Sequence, residues 1–249
     1  MKIKIEVCAA SVQSALTAQL AGAHRVELCS SLELGGITPS ASTIEKTREI
    51  LDIEVYVLIR PRPGDFLYSS LEFDTIKRDI IFCKNVKTDD GKKVDGVVIG
   101  ILQKDGQVDV ERTKELVEIA APMKVTFHRA FDRAADPFLS LEKVIETGAH
   151  RILTSGQFAN AFEGRFLLQE LVEKAAGRIS IMPGAGVNAQ NILELAKITW
   201  AEEFHLSGKD EVKSKMTFEN PNFEFLENDF FETDLKKIMD VIKMATDNR

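Results

Sequence analysis

Strand-like and helix-like segments alternate along the whole of this chain, and that alternation narrows the folds open to it. Short strand-like runs recur at 2–7, 25–29, 54–59, 96–100, 124–127, 151–154, 179–182 and 203–206. Amphipathic stretches with start and stop signals lie between them, at 11–22, 40–51, 109–121, 136–148, 160–177 and 188–197. Cys83 falls on a further predicted helix, and a C-terminal helix follows residue 234. Alternating β and α units imply a parallel sheet joined by right-handed crossovers. Eight such units in 249 residues match the size of a single-domain (β/α)8 TIM barrel. The rival is a doubly wound open sheet, but no GxGxxG fingerprint follows the first strand, so no nucleotide cofactor motif is present.

An internal echo supports the barrel. Gly22-Ala-His-Arg-Val returns as Gly148-Ala-His-Arg-Ile, close to half the chain later, each copy joining a helix end to a strand. Two half-barrels of four units would produce this; so would a joint sequence that is simply good at linking helix to strand. No linker divides the chain. The long irregular piece is 208–234, where five Phe sit among acidic and Asn residues. Such a loop reads as a dimer contact or as packing across the barrel end.

The formal net charge of -7 argues against nucleic acid or an anionic membrane as partner. Cysteine is sparse and odd in number (Cys8, Cys29, Cys83), which fits a reducing compartment better than a disulfide framework. The first residues, MKIKIEVCAAS, are too charged for a signal peptide, and no stretch approaches the ~18 apolar residues of a membrane span. A cytoplasmic protein is expected.

The strand ends carry the chemistry. Residues 125–132, VTFHRAFD, pass from a strand to His128, Arg129 and Asp132, and a helix signal follows at Asp136 and Pro137. Ligands of parallel α/β folds bind at that end of the strands. Period-two alternation puts Ile3, Ile5, Val7, Val26 and Leu28 against the helices, and turns Glu6, Cys8, Glu27 and Cys29 into the barrel. Arg60, His128 and His205 arrive at other strand ends. Buried charges persist when paired, so two readings stand: an ion-pair network lining the barrel, or a polar pocket for a small charged ligand.

Cys8 and Cys29 end neighbouring strands on one face. Strands lie ~4.8 Å apart, so two thiolates there can hold a soft ion such as Cu(I); two small residues in a reduced core are the plainer alternative. Arg60-Pro-Arg-Pro-Gly-Asp places Arg60 and Arg62 on a stiffened loop that suits a carboxylate or phosphate, with Asp65 as a competing partner. Gly184 and Gly186 after the seventh strand, and Ser207 after the eighth, occupy the positions where barrels often present backbone N–H groups to phosphate. Thr154 and Ser155 add hydroxyls to the same rim.

Together these segments resemble the CutC family, described as copper homeostasis proteins. The resemblance is carried by EVC (6–8), GAHRVELCSSLELGGITPS (22–40), IRPRPGDFLY (59–68), DGVVIGIL (95–102), VTFHRAFD (125–132), RILTSG (151–156) and EFHLS (203–207). It implies a TIM barrel in a dimer or larger assembly, cytoplasmic Cu(I) handling, and Cys8 and Cys29 as copper ligands. The chain departs from the usual pattern in RPRPGDF, in HLSGK after the eighth strand and at Glu219. Three functions compete: Cu(I) binding or buffering; acid/base catalysis on a small anionic or phosphorylated metabolite; or a scaffold on a retired enzyme fold. In the second, Glu6, Glu27, His128 and His205 are the acids and bases. Arg60, Arg62 and Arg129 hold the anion, with Thr154, Ser155, Gly184, Gly186 and Ser207 around it. There is no nucleophile elbow, no clearly placed Schiff-base Lys and no standard zinc motif.

Overall fold

The computed structural model describes residues 3–218, 220, 222 and 229–246, so Glu219 and most of 221–228 lie outside it. Each of the first seven strands is followed by a helix: β1 (Lys4–Ala9), α1 (Val12–Leu20), β2 (Arg25–Leu28), α2 (Ala41–Ile50), β3 (Glu54–Leu58), α3 (Ser70–Asn85), β4 (Gly96–Ile99), α4 (Val110–Ala120), β5 (Lys124–Phe127), α5 (Pro137–Glu146), β6 (Arg151–Thr154), α6 (Arg165–Ala175), β7 (Ser180–Pro183) and α7 (Ile192–Thr199). Then come β8 (Glu203–Leu206), β9 (Lys209–Val212), β10 (Phe230–Thr233) and α8 (Leu235–Thr246). The main sheet runs β7-β6-β5-β4-β3-β2-β1-β8, parallel throughout. β7 and β8 lie side by side without a hydrogen-bonded ladder, which leaves a TIM barrel closed except at one seam.

Local chemistry sets the helix starts. Ser11 caps α1 and Ser40 caps α2, each through its side-chain oxygen. Asp136 accepts from the N–H groups of Phe138 and Leu139 at 2.9 and 2.8 Å, and Pro137 opens α5 without wasting a donor. Helix α3 is fuller than expected around Cys83: a capping box of Ser69 and Glu72 starts it, and Phe73, Ile76, Ile80 and Cys83 form its buried stripe. Helices α6 and α7 begin later than the sequence suggests. Asn160 Oδ1 accepts from Glu163 N at 3.0 Å, and Asn188 Oδ1 from Gln190 N at 2.9 Å. These local turns compete with the helix until Arg165 and Ile192.

The apolar strand faces (Ile5, Val7, Val26, Leu28, Val55, Val57, Val97, Ile99) join the helices in one continuous core. Burying each such side chain contributes about 1.5–3 kcal/mol. A smaller cluster fills the barrel itself: Cys8, Cys29, Tyr56, Leu58 and Val98.

The internal echo has a structural counterpart. Gly22 and Gly148 turn the chain at φ +94° and +79°, where a side chain would be strained. His24 Nδ1 then accepts the N–H of Ile5 at 3.1 Å, and His150 Nδ1 that of Val125 at 3.2 Å. The arginines that follow, Arg25 and Arg151, both reach Glu203 Oε2 at 2.7 Å and both lie over the Tyr56 ring. Arg25 also pairs with Glu6.

The stretch expected to be an irregular loop begins and ends in a hairpin, with β9 pairing β10 antiparallel. Helix α8 packs beside α7 and α1 and completes the helix ring. No helix among the described residues is long and apolar enough to cross a membrane.

Candidate functional site

Strand register assembles the site. Cys8 stands opposite Glu27 across β1 and β2, and Glu6 opposite His205 across β1 and β8. Cys8 Sγ lies 3.6 Å from Cys29 Sγ and 3.7 Å from Glu27 Oε1. Ligand atoms of Cys8, Glu27 and His205 all fall within 4.8 Å of one another. His205 Nδ1 is 2.7 Å from Glu6 Oε1, which fixes the ring and leaves Nε2 as its second nitrogen for other partners.

The charges on this floor are strongly tuned. Burial alone would raise the Glu6 pKa, but Arg25, His205 and Arg151 outweigh it and hold the carboxyl well below the carboxylate range. Burial pushes Glu27 up to about 7, with His205 opposing and Glu6 reinforcing the rise. Burial would lower His205, yet neighbouring Glu27 and Glu6 raise it. The hydrogen bond with Cys29, then burial, push the Cys8 thiol well above its ordinary value.

Above this floor a cavity of about 350 Å³ opens at the carboxyl ends of the strands. Of the residues singled out from sequence, Cys8, Glu27, Arg60, His128, Arg129, Gly186, His205 and Ser207 line it. His128 is 5 % exposed. Its Nδ1 accepts the N–H of Ala130 at 3.1 Å, so the neutral ring carries its proton on Nε2, and that atom is buried without a partner among the described residues. Burial and Arg60 push its pKa down to about 3. Phe66, which the sequence did not flag, packs against it with the ring centroids 4.8 Å apart and the planes tilted by 50°.

The other expected residues have different occupations. Arg60 Nη1 donates to the carbonyls of Leu34, Gly35 and Gly36, and Nη2 to Gly64 O, so much of its guanidinium braces loops. Arg62 is spent on Glu72, Asp65 and Leu67 O, away from the cavity, as the nearby acids draw it outward. Thr154 and Ser155 turn to the Asp132 carboxylate, which also pairs with Arg129 at 2.7 Å. Gly184 is where β7 nears β8: a Cβ there would lie 3.3 Å from His205 Cβ. Cys29 sits behind Cys8, and Glu6 beneath His205 in the ion-pair network. Lys209 joins the rim without having been singled out; its position beside Ser207 and Gly208 was the available signal.

The fold and its mouth define a (β/α)8 barrel with an open cavity of mixed charged and apolar lining, one soft sulfur donor at its floor and a second 3.6 Å from the first. The model of the CutC family matches residues 3–210. A CutC family protein of Chromobacterium violaceum is 49% identical over 214 residues, covering 86% of this chain and 84% of that protein. One from Parabacteroides distasonis is 48% identical, covering 89% of each. A crystal structure of a candidate copper homeostasis protein CutC from Streptococcus agalactiae superposes with a TM-score of 0.76 at 32% identity, over 82% of this chain and 98% of that one. Phosphoribosylanthranilate isomerase from Thermotoga maritima shares the fold alone (TM-score 0.60, 12% identity, 98% of this chain and 99% of that one). The chain belongs to the CutC family.

Proposed function

We propose that the protein binds Cu(I) through Cys8 and Cys29, with His205 as a third donor, at the floor of the barrel mouth. The observation that carries this reading is the 3.6 Å separation of two free sulfurs, one of them lining the cavity. Thiolate donors favour Cu(I) over hard cations, and imidazole suits copper. The Glu6–His205 bond supports the reading, because metal-binding imidazoles are commonly oriented by a carboxylate on their other nitrogen. So does membership of a family with a relative described in terms of copper homeostasis. In the metal-free protein Cys8 keeps its proton, so loading displaces it and tightens as pH rises.

An anaerobic Cu(I) titration against a chromophoric chelator tests the reading. One equivalent is expected to bind the wild-type protein and none to bind Cys8→Ser/Cys29→Ser with comparable affinity. Equal affinity in the double variant would sink the proposal.

A further inference from the structure

The geometry points to a second ligand in the same mouth: a small hydroxy or carbonyl compound carrying one phosphate group. This goes beyond the copper reading and does not depend on it.

Two orphaned atoms start the argument. His128 Nε2 and Glu27 Oε2 are buried, belong to residues that line the cavity, and have no hydrogen-bond partner among the described residues. Such atoms are rare because leaving them unpaired is costly, and one explanation is a missing ligand. The tautomer fixed by Ala130 makes His128 Nε2–H a neutral donor, suited to a hydroxyl or carbonyl oxygen and not to a metal. Glu27 Oε2, on β2, is positioned to meet a hydroxyl from the other wall. Copper held at Cys8, Cys29 and His205 leaves the His128 side of the cavity without a partner.

The rim has the opposite character. Arg129 is 44% exposed and tethered by Asp132 and by Ser155. Lys209 rests over the Phe231 ring and pairs with no carboxylate among the described residues. Arg60 adds a buried positive charge to the wall. The loops after β7 and β8 contribute Gly186, Val187 and Ser207, whose backbone N–H groups donate to no acceptor among the described residues. Cations beside uncommitted N–H groups complement a tetrahedral dianion. A cavity of about 350 Å³ lies in the range of small-metabolite sites. The ligand therefore has its phosphate at the rim and its oxygens on His128 and Glu27.

Calorimetry on the metal-free full chain tests this with inorganic phosphate, dihydroxyacetone and dihydroxyacetone phosphate. The phosphorylated ketone is expected to bind at least about tenfold more tightly than either fragment. His128→Asn keeps an acceptor for Ala130 N–H, but its shorter amide puts no donor at the position of Nε2. It should bring the phosphorylated ketone down to the affinity of phosphate and leave phosphate unchanged. Lys209→Gln, on the surface and harmless to folding, should weaken both phosphate-bearing probes. Cys8→Ser/Cys29→Ser should retain the phosphorylated ketone, so losing copper while keeping this ligand separates the two readings. No preference for the phosphorylated ketone over phosphate would overturn the inference. So would unchanged binding in folded His128→Asn, or in Lys209→Gln.

Discussion

His128 is neutral because of where it sits, and that has a cost that depends on pH. Its pKa is about 3 when folded, against an ordinary value of 6.5. Between those values the unfolded chain takes up a proton that the folded ring refuses, so stability falls as pH falls through that window. The slope from this group alone approaches about 1.4 kcal/mol per pH unit. Denaturant unfolding of wild type and His128→Asn from pH 7 to pH 4 should show the wild type losing more stability; parallel curves would contradict the assignment. The meeting of Cys8 with Cys29 was legible in the sequence, since period-two alternation and strand spacing suffice to bring them together. The fates of Arg60 and Arg62 were legible only in the pairing of Arg62 with Asp65. Arg60 is held by carbonyls at 34–36, and Arg62 is captured by Glu72, which lies in the first turn of α3. Those partners lie outside the RPRPGD loop, whereas the Asp65 contact of Arg62 lies within it and was expected.

The interior strand faces act as a unit. Arg25 is 3 % exposed and is shared by Glu6, Glu54 and Glu203, while Arg151 reaches Glu203 from β6. Removing one member of a buried ion pair strands the other, at a cost of about 3–5 kcal/mol. Arg25→Met is expected to lose that much in urea unfolding, and a loss below ~1 kcal/mol would show that the network contributes little. Of the two readings of the barrel interior, the paired network is present around Glu6 and Arg25, and the cavity above it is where we propose a small charged ligand. Strands 124–127, 151–154 and 203–206 were read at their observed limits, because each short run lies between the end of a helix and the polar residues of the next loop. The starts of α6 and α7 were not, because Asn160 and Asn188 draw the backbone into turns that resemble caps at the level of sequence.

At the scale of the whole molecule, parallel pairing brings the carboxyl ends of all eight strands around one mouth, and the Gly-Ala-His-Arg joints place matching arginines at the opposite end, where β2 and β6 begin. The barrel was legible from alternation and length. The seam between β7 and β8, and the hairpin made by β9 and β10, were not, since both depend on contacts across the chain. Family membership is consistent with every part of this architecture, while copper is a claim about two sulfurs and an imidazole. X-ray absorption at the copper edge, on the full chain loaded anaerobically with one equivalent of Cu(I), tests that claim most directly. The account expects two sulfur scatterers and one nitrogen, with the sulfur signal lost in Cys8→Ser/Cys29→Ser. A first shell of nitrogen and oxygen alone, or a spectrum unchanged by the double substitution, would contradict it.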